Sequence, residues 1–180
     1  MTRPSELEGC VLGLVWSFRA CTPYMIRKEF LTSPSPQWSG SAGAIYPLME
    51  RMERRGLIRS DPHSTGNRQS RLYRITRPGL RVFRAWLGPP HAPKTIGVPS
   101  DPLRTRIEFL TALDFQSRKV FIENAQRQLL AQIRLVEKDC RRRRAERNVP
   151  AYVVARGAFK MLQARREWLR EAARLLSKLP

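Results

Sequence analysis

The sequence feature that most constrains the fold is the stretch from residue 41 to residue 58, where a helical pattern ends at a glycine and leads into strand-like residues. Its apolar residues recur every three or four positions, which is the spacing of one helix face. Gly56 predicts the helix end, because glycine adopts the left-handed closing conformation at little cost. The other face is small, aromatic or basic, so the pattern predicts a helix that packs on one side and meets a partner on the other. The apolar positions are Ile45, Leu48, Met49 and Met52.

The N-terminal end of this helix is predicted to suit an anion. Ser39 or Ser41 is placed to cap its first backbone N–H groups, and the small residues Ala42 and Gly43 leave room for a phosphate to approach the backbone. The helix dipole adds positive potential at the same end. An ordinary surface helix with solvated arginines fits these residues as well, so the helix alone does not decide between the two interpretations.

Two further helices are predicted before this stretch. Apolar spacing indicates a helix over residues 7–18, and Thr22 followed by Pro23 is a typical start for a second one. A Ser- and Pro-rich loop over residues 32–40 then carries Trp38. We expect the Trp38 indole to pack against the helices rather than to stack on a nucleobase.

A β-hairpin and a closing helix are predicted after the stretch. Two short strands at residues 57–60 and 71–75 are joined by a polar, turn-rich segment. Thr76 is placed to cap the helix that follows. The order of helix, helix, outward-facing helix, hairpin and helix predicts a winged helix-turn-helix domain over residues 1–88, in a chain that is mainly α.

The second half of the chain is predicted to be a helical dimerisation domain. Residues 89–102 are rich in Pro and Gly and read as a linker, whereas residues 103–180 carry long helical patterns. The last helix has two apolar stripes, of which one can pack on the preceding long helix as an antiparallel hairpin and the other is left for a second subunit. The candidate dimerisation residues are Leu110, Phe121, Leu129, Phe159, Leu162, Trp168 and Leu169.

The charge of the chain favours a polyanionic partner. Its 180 residues include 34 Lys and Arg against 15 Asp and Glu, a net charge of +19, which suits nucleic acid better than a membrane surface. A coding bias towards arginine is the alternative explanation for part of this excess. The basic run at residues 141–144 is interpreted as a solvated turn, with a phosphate contact as the alternative.

Several function classes find no support in the sequence. No apolar run approaches the roughly 20 residues that span a bilayer, and the N-terminus is unlike a secretory signal, which favours a cytoplasmic protein. The three cysteines lack C-x-x-C spacing and the two histidines lack ligand partners, so neither a disulfide framework nor a metal site is expected. Because phosphate-loop and nucleophile motifs are also absent from the sequence, we expect neither an enzyme nor a cofactor.

The N-terminal half resembles the PadR-type transcriptional regulators over about residues 7–87. Methionines at positions 49 and 52 stand where leucines are usual, Pro23 replaces a common glycine, and the hairpin tip lacks the usual Gly-Pro-Pro. The resemblance is carried by Gly43-x-Ile45-Tyr46-Pro47, Met52-Glu53-x-x-Gly56-Leu57-Ile58 and Arg71-x-Tyr73-Arg74-Ile75-Thr76-x-x-Gly79.

The resemblance implies a DNA-binding homodimer, usually a repressor, that joins through its C-terminal helices and places Tyr46 and its neighbours in the major groove of a palindromic operator. A sequence-indifferent architectural DNA- or RNA-binding protein is the alternative. A small aromatic effector between Trp86 and Trp168 is a further hypothesis, against the simpler interpretation of Trp168 as dimer core. The candidate DNA contacts are Ser41, Ala42, Gly43, Tyr46 and Arg51 on the helix, and Arg68 and Arg71 on the hairpin.

Overall fold

The computed structural model of the chain describes residues 4–33, 35, 38–39, 41–65 and 68–179, without the side chains of residues 65, 68, 69 and 94. It forms two compact units, Met1–Val98 and Pro99–Pro180. The fold class expected from the sequence, mainly α with a small β-hairpin, is confirmed. The first unit contains α1 (Glu6–Phe18), α2 (Pro23–Leu31), a 3₁₀ turn (Ser41–Ala44), α3 (Ile45–Arg54), β1 (Ile58–Thr65), β2 (Arg68–Ile75), α4 (Arg77–Leu87) and the single turn α5 (Pro93–Ile96).

Side-chain caps fix the starts of three helices in this unit. Ser5 accepts a hydrogen bond from the backbone of Glu8, and the Glu8 carboxylate accepts one from the backbone of Ser5, which completes a capping box on α1. Thr22 caps α2 and Thr76 caps α4, each followed by a proline in the first turn. Both threonine caps predicted from the sequence are therefore confirmed, because the local pattern alone is sufficient to form them.

The core of the first unit lies between its helices and the inner face of the hairpin. Helix α3 contributes all its predicted apolar residues to this core, and the β-bridge between Cys21 and Tyr73 ties the end of α1 to the second strand. Trp38 packs edge-on against Phe30, with ring centroids 5.5 Å apart, as expected from the sequence. The most deeply buried residues are Val11, Leu12, Val15, Cys21, Ile26, Ile45, Leu48, Met49, Met52 and Ile58.

The hairpin strands are longer than the sequence pattern predicts. Their antiparallel register runs from the Ile58–Ile75 pair to the Thr65–Arg68 pair, so most of the polar segment assigned to a loop is strand. The alternation of apolar and polar residues predicted only the part of each strand that packs on the core. The outer part of the ladder is held by backbone pairing and by polar contacts, such as the Ser70 hydroxyl that donates to the His63 carbonyl oxygen at 3.0 Å. The expected hairpin tip at residues 66 and 67 lies outside the described residues.

The second unit is a helical hairpin preceded by shorter turns. It contains α6 (Pro102–Glu108), a 3₁₀ turn (Leu110–Ala112), α7 (Phe115–Ala145) and α8 (Val149–Leu176). The carboxylates of Asp101 and Asp114 and the amide of Asn148 cap the three α-helices. Helix α6 begins at Pro102, as predicted, whereas α7 begins slightly before the predicted start near Ser117. None of the described helices is both long and apolar enough to cross a membrane.

The packing of α7 on α8 shows which contacts the predicted dimerisation residues make within one chain. Leu110, Leu129 and Leu169 are buried within the single chain, in one cluster with Phe121, Leu162 and Trp168, while Phe159 belongs to a second cluster nearer the turn between the helices. Most of the predicted dimerisation residues therefore lie in the contact between α7 and α8 of one chain, which we call the intrachain seam. Their contacts with a second subunit stay a prediction. The sequence shows two apolar stripes on α8, but only the tertiary structure shows which of them faces α7.

Candidate nucleic-acid interface

Helix α3 has one face that packs on the core and an opposite face that is exposed to solvent, as the sequence predicts. Its apolar residues are buried, whereas Tyr46 is 46% exposed and Glu50, Arg51 and Arg54 point outward. Because the buried residues fix the rotation of the helix about its axis, the exposed ones are held in one orientation. A rigid helix with an aromatic ring and two guanidinium groups on its outer face is suited to contact a base edge and phosphates.

The start of α3 differs from the prediction. Residues Ser41–Ala44 form a 3₁₀ turn, and the α-helix begins one turn later, with Ala44 as an N-cap that has no side-chain cap hydrogen bond. Ala42 is only 3% exposed, so its methyl group packs in the core and does not face a partner. The tight 3₁₀ geometry turns this residue inward, which a helical wheel drawn for an α-helix cannot show. Ser41 is half-buried at the start of the turn.

Gly43 keeps the backbone accessible at the same end. A Cβ placed on Gly43 would have no atom within 4 Å, and the residue is exposed. A phosphate oxygen can therefore approach the main chain here without meeting a side chain. Of the candidates before α3, Gly43 is the one whose predicted role as a point of close approach fits its surroundings best.

The end of α3 follows the predicted glycine stop. Gly56 has φ of 68°, in the left-handed region. Its N–H bonds to the Glu53 carbonyl oxygen at 2.8 Å, and the Leu57 N–H bonds to the Met52 carbonyl oxygen at 2.9 Å. This pair of bonds is a Schellman motif, which satisfies the last carbonyls of the helix and turns the chain directly into β1.

Glu53 links α3 to the hairpin. Its Oε1 accepts a hydrogen bond from the Ser60 hydroxyl at 2.6 Å and from Nη2 of Arg71 at 3.0 Å. The Arg71 guanidinium carbon also lies 5.8 Å from the centroid of the Tyr73 ring. Burial raises the pKa of the Tyr73 hydroxyl, and the nearby Glu53 carboxylate raises it further. Helix α3 and the β1–β2 hairpin, which is the wing of the domain, are therefore held together by contacts between residues that are far apart in the sequence.

The structure describes the side chain of only one of the two candidate DNA contacts on the hairpin, Arg71. Arg71 is more than half exposed even while it pairs with Glu53, so one edge of its guanidinium group can face a partner. The backbone of Arg68 lies in β2, paired with Thr65, but its side chain lies outside the described residues. Arg71 is thus both a structural link and a candidate contact, and the role of Arg68 stays a prediction.

Cations on α3 differ from those on α7 in their pairing. Within the described part of the chain, Arg51 and Arg54 form no ion pair. In the basic run at residues 141–144, Arg141 pairs with Glu137, while Arg142 and Arg143 both pair with Asp139. Although burial raises the pKa of Asp139, the hydrogen bonds from Arg142 and Arg143 outweigh it and lower the pKa. This pairing favours the interpretation of the run as a structural helix end over a phosphate contact.

The two tryptophans proposed for an effector site each pack within their own unit. Trp86 stacks on Phe83, with centroids 6.2 Å apart, and a Cβ placed on Gly9 would lie only 2.4 Å from the Trp86 ring. Trp168 belongs to the apolar cluster between α7 and α8. The described residues contain no group of His, Cys, Asp and Glu that could hold a metal ion.

Sequence reasoning missed the contacts that join distant segments. Glu53 was identified only as an acid on α3, and the ion pair from Arg55 to the Glu8 carboxylate was not predicted. Arg54, exposed beside Arg51, was also not nominated as a contact. The alternation of acids and arginines along α3 was the one available signal, and it does not identify partners that lie 18 or 47 positions away.

Comparison with known proteins matches most of the N-terminal unit to one family model. Residues 11–85 match the model of the transcriptional regulator PadR-like family, which is a family of regulators rather than of enzymes. A search of curated protein sequences gives no match.

Solved structures extend the likeness to both units. Bacillus subtilis PadR in complex with operator DNA is 18% identical and has a TM-score of 0.83, with 96% of this chain and 99% of that chain covered. The same protein in complex with p-coumaric acid is 17% identical, has a TM-score of 0.75, and covers 96% of each chain. The Vibrio cholerae virulence activator AphA is 18% identical and has a TM-score of 0.70, with 94% and 97% covered. At these identities the likeness shows the fold.

Proposed function

We propose that this chain is a sequence-specific, DNA-binding repressor of the PadR-like family, whose model matches residues 11–85, and that it acts as a homodimer on a palindromic operator. A DNA-binding regulator is the function that the family and the fold support. The observation that carries the proposal is the outer face of α3, where Tyr46, Arg51 and Arg54 are exposed beside the open backbone at Gly43.

The charge and the shape of this face suit the major groove of DNA. An α-helix fits the groove, where side chains reach base edges, while unpaired cations on its flanks meet phosphates. Glu53 holds the hairpin against the helix, so that Arg71 lies at the edge of the same surface. This arrangement supports an operator contact by α3, with the wing beside it.

The proposed homodimer is supported by an unpartnered stripe on α8. Val154 is 74% exposed and Met161 is 63% exposed, and the stripe repeats with the three-and-four spacing of a coiled-coil seam. Gly157 lies on the same side of the helix and is open within the chain, with no atom within 4 Å of an added Cβ. The exposed members of the stripe are Val154, Gly157, Met161, Ala164 and Leu175, while Trp168 on the same side is half-buried against the α7–α8 cluster.

The proposal also includes the direction of regulation, which is repression, and the cellular location of the protein. Repression is the simplest outcome, because a dimer that occupies an operator blocks other proteins without a further contact. The V. cholerae relative is described as an activator, so a reporter assay with the selected operator decides the direction. A cytoplasmic location is proposed because a DNA-binding regulator acts where its DNA lies.

An aromatic effector is a second part of the proposal. The B. subtilis relative has been solved with p-coumaric acid, and we propose that this chain also responds to a small aromatic molecule. A broad panel of aromatic acids that leaves both Trp fluorescence and operator affinity unchanged would contradict this part.

The test of DNA recognition is selection of bound duplexes from a random pool at physiological salt. The proposal expects an inverted repeat with half-sites about 34 Å apart or a multiple of that distance. The architectural alternative expects no consensus, and its binding should be lost in excess random duplex. A consensus without symmetry would refute the palindromic operator.

The test of the dimer is the mass of the Met161→Glu variant in solution, measured by light scattering. A buried, unpaired carboxylate in the seam should separate the subunits. Gln163→Glu places the same charge on an exposed position away from the stripe and should leave the dimer intact. A parent chain that is monomeric at micromolar concentration, or a Met161→Glu variant that stays dimeric, would overturn the assignment.

A further inference from the structure

A long acid-free stretch of the sequence runs from the wing to the linker. Residues 62–100 contain no Asp or Glu, but they contain six arginines and one lysine. Two of these arginines pair with acids that precede the stretch, Arg71 with Glu53 and Arg74 with Asp61. The arginines of α4 therefore have no acid on their own helix and none close to it in the sequence.

Three of these arginines lie on one exposed side of α4. They are spaced four and three positions apart, which is the spacing of neighbours on one helix face. At a rise of about 1.5 Å per residue, the first and the last are about 10 Å apart along the helix axis. All three are exposed, and none forms an ion pair with a residue that the structure describes. These residues, which we call the α4 arginines, are Arg77, Arg81 and Arg84.

The opposite side of α4 fixes the direction in which the α4 arginines point. A Cβ placed on Gly79 would lie 1.9 Å from the Leu57 carbonyl oxygen, and Phe83 is buried in the core. The helix therefore cannot rotate about its axis. The Thr76 hydroxyl donates a hydrogen bond to the Gly56 carbonyl oxygen at 2.6 Å, so α4 begins directly beside the end of α3. The α4 arginines are thus held on the surface of the same unit that carries the outer face of α3.

The α4 arginines are unfavourable for the helix that carries them. Like charges three or four positions apart repel each other, and a cation in the first turn, such as Arg77, opposes the helix dipole. Conflicts with local helix preferences are expected mainly at functional sites. A polyanion beside the helix would offset both effects. Arginine at all three positions suits phosphate in particular, because a guanidinium group can donate two parallel hydrogen bonds to phosphate oxygens.

We propose that the α4 arginines form a second phosphate-binding surface, which contacts duplex DNA outside the half-site that α3 reads. The proposal rests on the proposed DNA binding by α3 and extends it. Phosphate contacts carry no sequence information, so this surface strengthens binding and leaves the selected sequence unchanged. The phosphates belong either to the flanks of the same duplex or to a second duplex.

The test is binding of the full chain to a long random-sequence duplex over a salt series, measured by fluorescence anisotropy. The test variant carries three substitutions together, Arg77→Gln, Arg81→Gln and Arg84→Gln. It should bind at least about tenfold more weakly and lower the salt slope by about two or three ions, because the phosphate contacts are lost. The control variant, which should keep the salt slope of the parent, makes the same change at three exposed cations of α7, by Arg127→Gln, Arg134→Gln and Lys138→Gln.

The folding of both variants is checked by circular dichroism, and a further measurement needs no variant. Phenylglyoxal modifies accessible arginines, and peptide mass spectrometry locates the modified residues. In the parent chain, the random-sequence duplex should protect Arg81 and Arg84 from modification and should leave Arg127 reactive.

Duplexes of increasing length separate the two sources of phosphate. If the phosphates belong to the flanks of the same duplex, lengthening the duplex should strengthen binding by the parent more than binding by the test variant. If they belong to a second duplex, the parent should bridge a surface-bound duplex to a labelled one, and the test variant should not.

Three outcomes would each overturn the proposal. They are a folded test variant with the salt slope of the parent, an equal loss of binding in the control variant, and α4 arginines that stay reactive when DNA is bound. The first and third would leave an acidic protein surface as the partner of this charge. A parent chain that binds no duplex would refute DNA binding by α3 together with this surface, whereas an unchanged test variant refutes this surface alone.

Discussion

The two units of the chain both carry more cations than acids, but they use them differently. On α7 three of the four arginines in the basic run pair with two acids of the same helix, Glu137 and Asp139. On α3 the exposed Arg51 and Arg54 form no ion pair with any described residue. Net charge therefore does not identify an interface by itself. A cation that the fold holds outward, without an acid beside it, is the better indication of an anionic partner.

The units also differ in how their long helices bury apolar residues. The first unit encloses a core between helices and a hairpin, and every Ile, Leu and Met of α3 is buried in it. The second unit buries one stripe of each long helix and leaves another exposed on α8. A two-helix hairpin has one mutual face, so any second apolar stripe needs a further partner. This difference is why DNA contacts are proposed for one unit and subunit contacts for the other.

The largest expected effect is a difference in stability between glycine-to-alanine substitutions in the two units. A Cβ on Gly79 in α4 would lie 1.9 Å from the Leu57 carbonyl oxygen, so Gly79→Ala should destabilise the first unit by about 3 kcal/mol or more. A Cβ on Gly157 in α8 meets nothing, so Gly157→Ala should stabilise its helix by about 0.5–1 kcal/mol. Thermal unfolding measures both. Equal effects of the two substitutions would contradict the packing described for Gly79.

The second prediction compares unpaired and paired arginines. Arg51→Ala should weaken operator binding by about 1–2 kcal/mol and reduce the salt slope by about one ion, because a phosphate or base contact is lost. Arg141→Ala removes an arginine that pairs with Glu137 and should change neither quantity. Fluorescence anisotropy over a salt series provides the measurement. A similar loss for both variants would mean that total charge, not the position of α3, governs binding.

The third prediction concerns the link between α3 and the wing. Glu53→Gln keeps the size of the side chain but removes the charge that Arg71 contacts, and it should destabilise the hairpin by about 1 kcal/mol. Faster hydrogen exchange in β1 and β2 is the expected signature. Glu137→Gln removes an exposed pair on α7 at 3.7 Å and should cost only about 0.3 kcal/mol. Unchanged exchange in Glu53→Gln would show that the wing is held by its apolar residues alone.

The smallest expected effect is a pH dependence at Glu8. Burial raises the pKa of Glu8, but hydrogen bonds from Ser5 and Arg55 outweigh it, so the pKa lies below its usual value. A lowered pKa in the folded state means that stability is gained above the unfolded pKa and lost as the pH falls through the folded one. In Glu8→Gln, stability near neutral pH should fall by a few tenths of a kcal/mol, about the value of an exposed pair. The difference from the parent should vanish in acid, as urea unfolding at several pH values would show.

Local sequence signals predicted the elements well. Thr22, Thr76 and Gly56 mark element boundaries because each acts through hydrogen bonds or backbone geometry within a few residues. The apolar spacing of α3 also predicted which residues are buried. The start of α3 was predicted less well, because the choice between a 3₁₀ and an α turn at Ala42 depends on what that residue packs against.

The sequence by itself determined the helices, their caps, the core-facing stripe of α3 and the excess of positive charge, since all of these depend on neighbours in the chain or on composition. Only the tertiary structure decided that Arg71 meets Glu53, that Leu129 and Leu169 belong to the intrachain seam, and that Gly79 packs against the Leu57 carbonyl group, which holds the α4 arginines outward. These are contacts between segments far apart in the chain. Periodicity states which side of a helix is apolar, but the partner on that side is fixed only when the whole chain packs.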